Sequence, residues 1–389
     1  MRNLPSVNHR FLVVNQSIGV LFAHIISLAE QSCSVVLFTG VRYLRTSKVA
    51  RLLSWFVFTF QLAFHLLLFG HVYKSLLIVS NPPFAPLLAP LARRPYFLIL
   101  YDLYPQILSQ LQPRNPLLRH ALSLLTKVWH VVNGFVLRKA NRVFTLTSAM
   151  ADQLRPYFPS EELWNSKVVV IPPWADVSTM RPSPNEAQAF REVHDISGLV
   201  VSYSGNMGIT HPLEILVDAA ALLEGLAISP QIQILLIGEG AKRIALQQQA
   251  DELKLPCSRV RFLNRLPYNL LAASLSAADL AVVALDGPAS SASLPSKTFN
   301  ALACGTPLLA LAPANSALSQ LVCHHRCGVV IHPGPDAPTQ LVDAILNLKA
   351  NPDELQELGE NALAASYHYT PANAERLIDA WLGPLPLAA

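Results

Sequence analysis

The sequence predicts two doubly wound α/β domains in tandem, and three observations lead there. Twelve short apolar runs alternate with helix-length segments along the 389 residues. A stretch without periodicity, 172–184, carries four prolines and parts six of these runs from the other six. In the second half, two runs end in glycine turns that open helical patterns. Continuous apolar runs of four to six residues are the signature of parallel strands covered by helices on both faces.

The first-half strands are expected at 11–15, 34–39, 76–80, 96–101, 142–146 and 168–171. Those of the second half are expected at 199–204, 233–238, 260–263, 280–285, 307–311 and 328–331. The domains then read as 1–172, a linker at 173–198, 199–370, and a C-terminal helix at 371–389 that packs back on the first domain. Residues 52–70 hold nineteen positions without a formal charge, long enough to cross a bilayer. Spanning would put the strands before and after it on opposite sides of the membrane, and Gln61 and His65 would cost several kcal/mol in hydrocarbon. The segment is therefore expected to be a crossover helix, one face on the sheet and the other in the lipid interface.

With 52% hydrophobic residues, 14% charged and a mean hydropathy of +0.35, the chain is neither disordered nor an ordinary highly charged soluble protein. Residues 1–175 hold 17 Lys/Arg against 5 Asp/Glu, and the remainder 12 against 20. A basic half suits an anionic membrane surface. Nucleic acid is excluded as a partner for want of zinc-finger spacing, an RNA-binding aromatic signature or a dense basic stripe. Five scattered cysteines suit a reducing cytoplasm, and the short apolar run 11–14 is too brief for a signal-peptide core.

Chemistry concentrates in the second half. The strand 199–204 runs into Gly205-Asn206-Met207-Gly208 and then His211-Pro212, where free N–H groups and a helix start suit a phosphate. Ile237-Gly238-Glu239-Gly240-Ala241-Lys242-Arg243 repeats the arrangement, and a plain tight turn explains it equally well. Pro295-Ser296-Lys297 opens a further helix, either an ordinary short one with a solvated lysine or one in which Ser296 caps, Lys297 supplies a point charge for a diphosphate and Asn300 bonds a sugar hydroxyl. Cys323-His324-His325-Arg326-Cys327 lacks a second ligand pair and is not expected to hold metal.

The order of these motifs, with Ala277-Ala278-Asp279-Leu280-Ala281 and Cys327-Gly328-Val329-Val330, resembles the donor domain of glycosyltransferase family 4. The first half resembles the family more loosely through Val79-Ser80-Asn81-Pro82-Pro83, Tyr101-Asp102-Leu103-Tyr104-Pro105 and Val170-Ile171-Pro172-Pro173-Trp174. The resemblance implies a GT-B fold, two facing Rossmann-like domains, and sugar transfer with retention and without an essential metal or other cofactor. The implied donor is a nucleoside-diphosphate sugar, UDP before GDP, and the acceptor a lipid-linked or growing polysaccharide at the cytoplasmic membrane face. Stabilising the departing diphosphate is the main task of such an enzyme, and no Asp-x-Asp is present to hold a metal for it. The implied donor contacts are Gly205, Asn206, Gly208, His211, Gly238, Arg243, Ser296, Lys297 and Asn300, with Leu266 in the base-lining stretch 264–267. Asp102 either orients an acceptor hydroxyl or caps the next helix. Two departures stand out. Ala292 and Asn300 occupy positions where much of the family has glutamates, and the first glycine loop is reduced to Gln16-Ser17-Ile18-Gly19. They motivate a second reading, a GT-B scaffold that binds a nucleotide or a partner transferase without catalysis. An epimerase on the same fold is disfavoured, because only five acidic residues precede Asp176.

Overall fold

The computed structural model describes residues 10–16, 20–31, 33–41, 48–106, 115–209, 211–226, 232–286, 290 and 294–383. The chain forms two units, Met1–Pro172 with Ala372–Ala389, and Pro173–Pro371.

The first unit is a parallel sheet in the order β2-β1-β3-β4-β5-β6. Its strands are β1 Arg10–Val14, β2 Ser34–Phe38, β3 Ser75–Val79, β4 Tyr96–Leu100, β5 Arg142–Thr145 and β6 Val168–Val170. Every residue of β3 and β4 is buried, as expected for strands covered on both faces. Helix α1, Val20–Glu30, joins β1 to β2 in one direction across the sheet. Helix α2 (Lys48–Phe69), the 3₁₀ segment Ala85–Ala92 and α3 (Pro116–Lys139) make the next three connections in the opposite direction. Right-handed crossovers therefore put α1 on one face and the other three on the opposite face. Both α2 and α3 pack against the 3₁₀ segment. Asn115 starts α3 by accepting from Leu117 N and Leu118 N ahead of Pro116. Two short helices, α4 (Ser148–Leu154) and α5 (Glu161–Lys167), complete the run to β6.

The segment 52–70 is the crossover helix α2 between β2 and β3. Ser54, Phe58, Leu62 and Leu66, spaced four apart, form its buried stripe. The two polar residues that opposed spanning are paired inside the unit. Gln61 Oε1 accepts from Val41 N at 2.9 Å, and His65 Nε2 lies 2.9 Å from the Tyr73 hydroxyl.

The second unit is a parallel sheet in the order β12-β11-β10-β7-β8-β9. The strands are β7 Leu199–Ser204, β8 Ile232–Ile237, β9 Val260–Leu263, β10 Leu280–Ala284, β11 Leu308–Leu311 and β12 Gly328–Ile331. Its helices are α6 Pro184–Val193, α7 Glu214–Gly225, α8 Arg243–Glu252, α9 Leu271–Ser276, α10 Lys297–Ala303, α11 Ala317–His325, α12 Ala337–Ala350 and α13 Pro352–Ser366. The order reverses between β7 and β10, and a doubly wound sheet binds ligands outside the carboxyl ends of the strands at such a point.

The expected linker 173–198 is part of this second unit. Pro184 begins α6 rather than breaking it, and Ala187 and Phe190 are buried with Ala273 and Ala277. Arg191 fastens the helix, donating to Ala277 O and Gly198 O and pairing with Asp279 at 2.8 Å. Upstream, Ala175 N donates to Tyr369 O at 3.1 Å. At the other end of the chain, α14 (Ala372–Leu382) lies on α1, with Trp381 Nε1 donating to Ser75 Oγ at 3.1 Å and its ring edge-on to Phe11.

Candidate active site

At the reversal point the two glycine turns of the second unit lock together. Gly205 N donates to Ile237 O at 2.9 Å, Met207 N to Glu239 O at 2.8 Å, and Lys242 N to Met207 O at 3.1 Å. Gly238 sits at φ +128°, and a Cβ there would lie 2.0 Å from Gly205 O, so only glycine lets the two backbones approach. Gly208 N donates within the turn after β7, to Asn206 O at 2.9 Å. This differs from the expected cradle of free N–H groups at 205–208, because the second turn uses two of them.

The cation at the site is Lys297, the first residue of α10. Its Nζ donates to the Tyr203 hydroxyl at 2.7 Å and lies 3.9 Å from the centre of that ring. Gly205 leaves room for it, since a Cβ at 205 would stand 3.1 Å from Nζ. The side chain is half-buried, and burial lowers its pKa to about 7. Tyr203 is fully buried and belongs to β7. Its hydroxyl is 2.5 Å from Asn206 O and 2.7 Å from His211 Nδ1, which is itself 2.9 Å from the same carbonyl. One ammonium, one hydroxyl, one imidazole nitrogen and one carbonyl therefore form a single knot. Burial first, then the charges of Lys297 and Lys242, lowers the His211 pKa to about 4, so the ring is neutral near pH 7.

Lys242 holds the knot from behind, donating to His211 O at 2.8 Å and to Glu214 at the start of α7. Arg243 acts as a clasp between the second turn and the loop after β9. It donates to Gly238 O, to Leu263 O at 2.8 Å and to Asn264 Oδ1 at 3.0 Å, and pairs with Glu239. Leu266, in that loop, is half-buried against the cluster that contains Ile237.

One sequence expectation changes in α10. Ser296 has helical backbone angles, its side chain caps no N–H, and it is exposed. A cap needs the extended conformation that Thr147, Ser160 and Ser316 adopt before other helices. Asn300 lies one turn after Lys297, half-buried, and its side-chain amide has no hydrogen-bond partner among the described residues. Ala292 and 17–19 of the first glycine loop lie outside the described residues. Gln16 is buried and donates to Ser54 O in α2 and to Val41 O beyond β2.

Asp102 belongs to the first unit, after β4. Tyr101 N donates to Ser80 Oγ at 2.9 Å, which fixes the turn, and Asp102 lines a small cavity with Ser80, Pro83, Leu98, Leu100 and Asn133. Burial raises its pKa to about 6. The segment it was expected to cap, 107–114, lies outside the described residues. In the second unit Cys323 is exposed and Cys327 buried.

Sequence reasoning missed Tyr203 and Lys242. Tyr203 had a signal: it is the one aromatic in the run Leu-Val-Val-Ser-Tyr-Ser, and a buried tyrosine hydroxyl needs partners.

Residues 185–364, which contain the whole of this knot, match the family Glycosyl transferases group 1. The match lies wholly within the second unit. The chain is similar to the probable glycosyltransferase WbjE of Pseudomonas aeruginosa, 25% identical over 283 residues that cover 69% of this chain and 65% of that protein. It thus spans just under two thirds of that curated relative. Among solved structures it resembles the Anabaena protein HepE in complex with UDP and glucose, with a TM-score of 0.69, 20% identity and coverage of 97% of this chain and 100% of HepE. It also resembles WaaG, a glycosyltransferase involved in lipopolysaccharide biosynthesis, with a TM-score of 0.65, 17% identity and coverage of 95% and 98%. The fold is that of the GT-B glycosyltransferases, two α/β domains each on a six-stranded parallel sheet.

Proposed function

We propose that this protein transfers a sugar from a nucleoside-diphosphate sugar to a lipid-linked or polysaccharide acceptor, with retention and without a metal, at the cytoplasmic membrane face. The observation that supports it is Lys297, held on Tyr203 at the reversal point of a group 1 glycosyltransferase domain. In sugar transfer the anomeric carbon becomes oxocarbenium-like while charge collects on the diphosphate, so a preorganised cation beside the diphosphate lowers the barrier. Lys297 serves that role, drawn from the Tyr203 hydroxyl onto phosphate oxygens. The incoming dianion favours the protonated amine that burial disfavours. Neutral His211 and the Asn206 carbonyl hold Tyr203, and Arg243 keeps the base-lining loop against the second turn. Asn300 takes a sugar hydroxyl. Asp102, ionised above about pH 6, orients the acceptor hydroxyl. HepE, solved in complex with UDP and glucose, supports a UDP-linked donor as the first to test.

The test is thermal unfolding of the detergent-solubilised chain with UDP, GDP, ADP and CMP, beside Lys297→Ala. A nucleotide at 100 times its dissociation constant adds ~2.7 kcal/mol, which reads as a shift of a few degrees. A shift with one nucleotide, weakened in the variant, supports the donor site. No shift with any of them, in detergent and in lipid nanodiscs, contradicts it. Nucleotide binding without donor hydrolysis or transfer over a broad acceptor panel would favour the non-catalytic scaffold.

A further inference from the structure

Helix α2 shows two opposite faces. Phe58, Leu62 and Leu66 are fully buried against the first sheet, while Leu52, Leu53, Phe56, Phe60, Phe64, Leu67 and Leu68 are exposed. Phe56 and Phe60 are 71% and 69% exposed. Helix α3 repeats the pattern: Trp129, Val136 and Leu137 are buried, while Leu124, Leu125, Val128, Val131 and Phe135 are exposed. Both helices lie on the same face of the sheet and flank the 3₁₀ segment Ala85–Ala92. Folded chains rarely leave so wide an apolar surface in water unless it meets a partner or a membrane.

Charge identifies the occupant. Residues 48–139 contain ten Lys/Arg and a single acidic residue, Asp102. Arg51, Lys74, Arg93, Arg94, Arg119, Lys127 and Lys139 are exposed. A second copy of this chain would set that positive surface against itself, whereas an anionic bilayer matches both its charge and its apolar side chains. A spanning α2 would withdraw Phe58, Leu62 and Leu66 from the core, and would part β2 from β3, which flank β1.

We infer that the outer faces of α2 and α3 together form a docking surface that lies in the plane of an anionic phospholipid bilayer. This deepens, and rests on, the membrane-surface location proposed above, and is independent of the transfer chemistry in the second unit.

The experiment is flotation of the full chain with vesicles of phosphatidylcholine alone and of phosphatidylcholine with about one third phosphatidylglycerol. The expected result is at least ~10-fold stronger partition onto the anionic vesicles, with release by alkaline carbonate. The triple variants Phe56→Ser, Phe60→Ser, Phe64→Ser and Val128→Ser, Val131→Ser, Phe135→Ser each weaken partition at least ~10-fold. Their nucleotide-induced thermal shift stays as in the parent chain, which separates loss of docking from loss of the donor site. Should a triple variant fail to fold, single Phe60→Trp and Val131→Trp variants report instead, both being quenched by brominated lipid. Four results overturn the inference: equal partition on both vesicle types, triple variants that partition as the parent does, retention through carbonate, or a dimer that the triple variants dissolve. For the single variants, absence of quenching at either position does the same.

Discussion

The two units share one architecture and spend it differently. In the second, two glycine turns press together and hold a cation on a buried tyrosine. In the first, single polar side chains join the chain beyond the strands: Gln16 donates to Val41 O and Ser54 O, and Ser80 Oγ accepts from Tyr101 N. Close backbone approach requires glycine at defined places and so leaves a motif. A side-chain hydrogen bond can be made by several residue types and leaves none. The legible half of the molecule is the half whose site is built from backbone.

The largest expected effect breaks that contrast in the second unit. Gly238→Ala puts a Cβ 2.0 Å from Gly205 O, and the loss should reach about 4 kcal/mol or prevent the unit from folding. Gly334→Ala, where nothing lies within 4 Å, should be neutral in the same denaturation experiment. Next, Lys297→Ala should lower the rate of transfer by about 10²–10³ with the fold intact, as removal of one preorganised donor does. A rate unchanged by that substitution removes Lys297 from the mechanism. Tyr203→Phe keeps the ring beneath the ammonium and removes only the hydroxyl, so its rate should fall by about 10-fold.

In the first unit the sharper probe is pH. The Asp102 pKa is raised above its ordinary value, so the protonated form is favoured in the fold. Transfer should therefore fall as pH drops through about 6, and Asp102→Asn should flatten that limb of the profile. The same shift makes Asp102 cost stability as pH rises from its ordinary carboxylate range to about 6, and the cost is constant above. The smallest effect belongs to the C-terminal helix. Trp381→Phe loses the bond to Ser75 Oγ and should cost about 1 kcal/mol in chemical denaturation.

Much of the fold could be read in advance because buried parallel strands are written as apolar runs. All twelve appear, with ends shifted by at most one residue, as in β5, Arg142–Thr145, expected to reach Leu146. The linker was misread because prolines were counted without regard to position: Pro184 sits at the first turn of α6, where its missing N–H costs nothing. In the site, Lys297 and both glycine turns were legible, and the described structure brings them together. Ser296 was not, since residue type suggests a cap but backbone conformation decides it. Tyr203 was hidden because its importance lies in what the chain brings to it, a lysine 94 positions away.

In the proposed function Lys297, held near its titration point by burial, receives the donor's diphosphate. A lysine lowered to about 7 is mostly charged at pH 6 and mostly neutral at pH 8. Titration calorimetry with UDP at these two pH values, on the parent chain and on Lys297→Ala, tests it directly. The expected result is tighter binding at pH 6, weaker binding with proton uptake at pH 8, and weak binding at both, without that proton uptake, in the variant. Binding by Lys297→Ala as tight as the parent's, with the same proton uptake at pH 8, would contradict it.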